Sequence, residues 1–217
     1  DVERVALVVF SSNSSLCGAF NANVLKMFSQ TLGSLYERGY SESDIDVYAV
    51  GRKAADAALK AGFAQAEDFS DLANKPSYDR SADLAAELVD SFSTGNVSQV
   101  IFVYSHFAST SSQPVIRENY LPLALHDYAS GSAPIDYILE PDPMSLVKEL
   151  LPKVLFLKMY TVILDANAAE HAARTVAMQI ATDNAQDLIA ELTLAYNKGR
   201  QQEITAEILD LIGGTMA

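Results

Sequence analysis

After Pro152 the chain contains no further proline, and its only later glycines are Gly199, Gly213 and Gly214. Proline breaks a helix by removing a backbone donor and crowding the preceding turn, so a stretch without it is free to run on as one helix. If residues 153 to 211 form a single helix, it is about 90 Å long, far more than an α/β body of this size is wide. The sequence therefore predicts a protruding rod. Its apolar residues Val154, Leu157, Val162, Ala166, Ala169, Ala173, Val176, Ile180, Leu188, Leu192, Ala195, Ile204, Ile208 and Leu211 step by three, four or sums of these. Tyr160, Ile163, Met178 and Ile189 fall off that stripe. Alanine-rich spacing of this kind fits a coiled-coil strand lying against a close partner. Because packing supplies most helical stability, the stripe predicts a cover over Val176, Ile180, Leu188 and Leu192: a folded-back body, a second copy or another chain.

The first 142 residues follow a different rule. "RVALVVF", "IDVYAV" and "SQVIFVYSHF" are short β-branched runs of the kind buried on both sheet faces. Between them lie a helical pattern from Gly18 to Gly39, an alanine-rich helix over 51–63, and a helix bracketed by Pro76 and Gly95 in the order expected of helix starts and stops. Strands alternating with helices predict a doubly wound, mostly parallel, Rossmann-like α/β sheet. "STSSQPVIRENYLPLAL" lacks a helical period and predicts an extended or hairpin excursion ending at the sheet edge, and "IDYILEP" predicts a last strand. Residues 1–142 are thus expected to be an α/β body and 143–217 a long helix, which Pro152 should kink or restart.

"VALVVFSSNSSLCGAFNANV" (5–24) raises a sharper question, because a strand, a small-residue loop and a helix can cradle a phosphate. The pattern lacks the three glycines of a dinucleotide loop and the lysine of a P-loop, so it predicts a packed corner. Ser11, Ser12, Ser14 and Ser15 lack the G-x-S-x-G elbow of a hydrolase. His106, His126 and His171 have no metal-ligand spacing. Cys17, being alone, cannot form an internal disulfide. Glu170 and Arg174, at i and i+4, predict an exposed ion pair. Neither catalytic residue, cofactor nor metal is expected.

Charge narrows the partners. The net charge is −13, of which residues 143–217, with six basic and nine acidic side chains, hold −3. The acidic body disfavours nucleic acid; no run of about 18 apolar residues predicts a span of the bilayer. The near-balanced rod suits contact with other proteins. A start at Asp1 suggests a trimmed fragment.

"SLCGAFNANV", "VYAVGRKA", "EPDP", "LLPK" and above all "AEHAARTVAMQIATDNAQDLIAELTLAYNKGRQQEITAEILDLIGG" resemble the gamma subunits of F-type ATP synthases, across essentially the whole chain. The resemblance implies a non-catalytic central-stalk rotor that couples ion-driven rotation to ATP synthesis or hydrolysis. It would be peripheral on the cytoplasmic face of a bacterial inner membrane, without direct insertion. Implied partners are the alpha and beta stator subunits, the epsilon subunit and the membrane c-ring. A further N-terminal helix, absent from this sequence, would pair antiparallel with the rod. Arg174, Lys198, Arg200, Gln201 and Thr205 would meet the stator, with Ile204, Ile208, Leu209, Leu211 and Ile212 seated in its apolar sleeve; Tyr137 and Glu140 would form the foot on the ring. Asn13 and Ser15 depart from an acidic residue and a glycine usual in the family, and Gly199 weakens the helix by about 1 kcal/mol relative to alanine. The rival reading from the Ser-rich loop is a flavodoxin-like FMN or nucleotide module with a helical dimerisation arm.

Overall fold

A computed structural model describes residues 4–63, 67–123, 140 and 142–215. Contacts divide the chain into two compact units, Asp1–Thr175 and Val176–Ala217. The first is built on a five-stranded sheet in the order β3-β2-β1-β4-β5. Strands β1 (Val5–Phe10), β2 (Ile45–Val50), the two-residue β3 (Glu67–Asp68) and β4 (Gln99–Ser105) run parallel, and β5 (Val115–Leu121) closes the edge antiparallel to β4. The excursion after β4 is therefore a return strand, as its proline-flanked pattern implied. "IDYILEP" lies outside the described residues except for Glu140.

Side-chain alternation along the central strands feeds two cores. Val5, Leu7 and Val9 of β1 join Ile101 and Val103 of β4 on one face, covered by α1 (Phe20–Glu37) through Val24, Phe28 and Leu35 and by α2 (Arg52–Lys60) through Ala54 and Ala58. Ala6, Val8 and Phe10 join Phe102 and Tyr104 on the other. That face is covered by α3 (Ser70–Asn74), α4 (Tyr78–Ser93) and the leading part of α5 (Pro143–Thr215). Gly51, at φ +111°, lets β1 and β2 end close together: a Cβ there would lie 2.1 Å from the Ser11 carbonyl oxygen.

Helix α5 starts where its chemistry says it should. Asp142 Oδ1 accepts the Met144 and Ser145 amides at 3.0 and 2.9 Å, Oδ2 accepts the Ser145 hydroxyl at 2.6 Å, and Pro143 stands first, where its missing donor costs nothing. The helix runs on through Pro152 without a restart. The carbonyl deprived of its donor belongs to Lys148, whose turn is exposed, so water can satisfy it.

The face that α5 turns to the sheet also differs from the expected stripe. Leu155, Met159, Val162, Ile163 and Ala166 are buried in the core, whereas Val154 and Leu157 are 57% and 53% exposed. Ile163, placed off the stripe by sequence, is central to the contact. Hydrogen bonding fixes the rotation of the helix: the Tyr120 hydroxyl donates to the Leu155 carbonyl at 2.9 Å, and Lys158 pairs with Glu118 at 2.9 Å. Spacing alone could not choose between two overlapping apolar stripes. In the second unit Ile180, Leu188 and Leu192 are 55%, 54% and 59% exposed.

Two outcomes follow for stability. Met159→Ala should lower the unfolding free energy by about 2–5 kcal/mol, and Leu192→Ala by no more than about 0.5 kcal/mol, both read from urea unfolding of the full chain. The Ser145 bonds hold the Asp142 carboxyl below its ordinary range. A folded pKa below the unfolded one gives a contribution present above the unfolded value and lost as pH falls through the folded one. The first turn of α5 should therefore fray below about pH 4, seen as loss of the Met144 and Ser145 amide protection.

Candidate functional site

In an open α/β sheet the ligand crevice lies beyond the carboxyl ends of the strands, where the strand order reverses. Here the reversal falls between β1 and β4. The loop after β1 has the composition of an anion cradle, but the first amides of α2 donate into it. The Arg52 amide donates to Asn13 Oδ1 at 2.9 Å, the Lys53 amide to the Ser12 carbonyl at 3.2 Å, and the Ala54 amide to Ser11 Oγ at 2.8 Å. The Ser12 amide donates to Asn21 Oδ1 at 3.1 Å, and Asn13 Nδ2 reaches the Ser70 carbonyl at 2.7 Å. A phosphate would have to displace internal acceptors from each of these amides. These bonds pack the loop against α2 and α3.

The crevice itself is occupied by α5. Ile163, Ala166, Asn167 and Glu170 lie over the ends of β1 and β2, leaving a water-sized cavity against Phe10, Ser11, Val50 and Ala73. On the β4 side, Asp165 accepts the Phe107 amide at 2.9 Å and meets His106 Nδ1 at 2.6 Å. On the β2 side, Asn167 Nδ2 donates to the Ala73 carbonyl at 2.8 Å. On the β1 side, Arg174 bonds Glu170 Oε1 at 2.7 Å, Ser14 Oγ at 2.9 Å and the Ser15 carbonyl at 2.7 Å. The Glu170–Arg174 pair forms, but half-hidden rather than exposed: Glu170 is 8% accessible. Nearby, Ala169 packs with Cys17 and Phe20, which draws this turn of the helix onto the loop. Asp165 and Asn167 were not singled out from the sequence, although two polar residues interrupting "TVILDANAAE" are a visible signal of docking.

Arg174 is thus engaged by the body. Lys198, Arg200, Gln201, Ile204, Thr205, Ile208 and Leu209 are all exposed in the second unit. At the helical period Gln201, Thr205 and Ile208 share one line, with Arg200 and Ile204 beside it; the Thr205 hydroxyl is held by the Gln201 carbonyl at 2.7 Å. Glu140 is exposed, and Tyr137 and His126 lie outside the described residues. His171 is exposed, and no cluster of three potential metal ligands occurs among the described residues.

A family profile described as ATP synthase matches residues 1–217. The ATP synthase gamma chain of Bacteroides fragilis is 53% identical over 220 residues, covering 100% of this chain and 75% of that one. The chain belongs to the ATP synthase gamma family. The gamma chain of Cytophaga hutchinsonii is 34% identical over 220 residues, again across 100% of this chain and 75% of the relative. Among solved structures, a rotor chain of the Euglena gracilis mitochondrial ATP synthase superposes with TM-score 0.63 at 22% identity, covering 93% of this chain and 75% of its own. A chain from the central stalk and c-ring of the Tetrahymena thermophila mitochondrial enzyme gives 0.59 at 20% identity, covering 83% and 77%. These two show the shared fold. A gamma chain is the central-stalk rotor subunit and is not itself catalytic. Membership overturns the flavodoxin-like alternative. No described helix is long and apolar enough to cross a membrane.

With the first amides of α2 bonded internally and α5 lying over the strand ends, the chain should give no saturable thermal shift with FMN, ATP or inorganic phosphate up to millimolar concentration. A saturable rise in melting temperature, abolished by Asn13→Ala, would contradict the filled-crevice account.

Proposed function

We propose that this chain couples ion-driven rotation of a membrane c-ring to nucleotide exchange in the alpha and beta subunits of the stator. The observation that carries this reading is the second unit: a helix from Val176 onward whose apolar residues, Ile204, Ile208, Leu209 and Leu211 among them, are 45–71% exposed. An apolar flank of this length is stable in solution only when something lies against it. A further gamma helix along the flank and the stator sleeve around its end are the covers the reading requires.

Lys198, Arg200, Gln201 and Thr205 are the polar contacts proposed for the stator. A guanidinium fork and an amide offer several donors to carboxylates and carbonyls. Such contacts can form and break as an asymmetric shaft turns past three equivalent sites, biasing each toward a different conformation by differential contact energy. Glu140, with Tyr137, is proposed for the foot on the c-ring, next to the epsilon subunit. The assembly this implies holds the chain at the cytoplasmic face of a bacterial inner membrane.

The test uses the assembled enzyme. Arg200→Ala with Gln201→Ala removes two exposed side chains of a single helix, so folding should be unchanged. Losing charge-assisted bonds of about 1.5–3 kcal/mol should cut ATP-driven proton pumping about tenfold or more. Normal pumping by the double variant would remove these residues from the proposed stator contact, and failure of the unmutated chain to assemble with alpha and beta would remove the functional reading altogether.

A further inference from the structure

We infer that Arg174 is a positioning residue: with the Ser14–Ser15 turn as its seat and Glu170 as its counter-ion, it latches α5 into the crevice at the carboxyl end of the sheet. The three groups around it are a carboxylate, a hydroxyl and a backbone carbonyl, all able to accept and all within 2.9 Å of its guanidinium. A planar fork with five donors can reach them together, whereas a single ammonium cannot span them in one geometry. The turn is held ready from behind. Asn21 Nδ2 donates to the Ser14 carbonyl at 3.2 Å and to Ser12 Oγ at 2.8 Å, and Leu16 follows in the left-handed region at φ +67°. A leucine in that conformation is costly, and here it lies beside the turn whose Ser15 carbonyl accepts from the arginine.

The burial is one-sided. Glu170 keeps 10% of its side-chain surface and Arg174 keeps 23%. Removing the arginine alone leaves a carboxylate nearly excluded from water without its partner, which costs more than neutralising both. That sign distinguishes a latch from a residue that merely points outward to the stator. Asp165 and Asn167 fix the helix on the β4 and β2 sides, and Arg174 is the corresponding hold on the β1 side. Resting on the proposed rotor function, the latch keeps α5 seated on the sheet body under torque.

The experiment takes the full chain, alone and assembled with alpha and beta subunits, as Arg174→Gln, Arg174→Lys, Ser14→Ala and Arg174→Gln/Glu170→Gln. Amide exchange across residues 12–20 and 165–175 reads the seat, and protons pumped per ATP hydrolysed read the coupling. Arg174→Gln should speed exchange in both segments about tenfold while leaving 200–212 unchanged. Arg174→Lys should recover less than half of that loss, Ser14→Ala should cost about twofold, and the double variant should be better protected than Arg174→Gln. Protons pumped per ATP should fall in Arg174→Gln and partly return in the double variant. Unchanged exchange over 12–20 in Arg174→Gln, or faster exchange with full pumping, overturns the inference. Failure of the unmutated chain to assemble counts against the rotor reading, since exchange in the free chain still reads the seat.

Discussion

The structure depends on the docking of one helix onto one sheet face. The leading part of α5 buries Leu155, Met159, Val162, Ile163 and Ala166 against the face formed by Phe10, Phe102 and Tyr104, then crosses the carboxyl ends of the strands with polar side chains. Apolar burial supplies the affinity. Asp165, Asn167 and Arg174 supply the register, because each has a backbone partner in a different segment: the loop after β4, α3 and the loop after β1. Without that crossing, the sheet would present an open crevice of the type that binds nucleotides elsewhere. The chain's own helix takes the place of a ligand.

Fold and function separate at this point. The strand order, the small-residue loop and the glycine at the start of α2 are features shared with nucleotide-binding sheets, yet each is used here for internal packing. Gly51 admits the Ser11 carbonyl, Ser11 and Asn13 take the first amides of α2, and Ser14 and Ser15 receive an arginine. The polar composition of the loop is explained by the acceptors those amides and that guanidinium need. No anion has to be invoked.

The parallel strands and their helices were legible because β-branched runs and proline–glycine brackets are local signals. The side of α5 that faces the sheet was not, since Val154 and Leu157 continue the helical spacing as well as Leu155 and Met159 do, and only Tyr120, far away in sequence, breaks the tie. What Pro152 costs depends on whether the orphaned Lys148 carbonyl is wet, a tertiary fact. The pairing of Glu170 with Arg174 was local and visible, whereas its burial came from Cys17 and Phe20. The exposed flank beyond Val176 was visible as an apolar stripe.

The central claim is that α5 is held by the body up to Arg174 and needs outside partners beyond Val176. Limited tryptic digestion of the full chain, alone and assembled with alpha and beta subunits, tests it most directly. The account predicts early cleavage after Lys198 and Arg200 in the free chain, with Lys158 and Arg174 spared, and protection of the first two sites on assembly. Cleavage at Arg174 as fast as at Arg200, or a free chain resistant throughout α5, would contradict it.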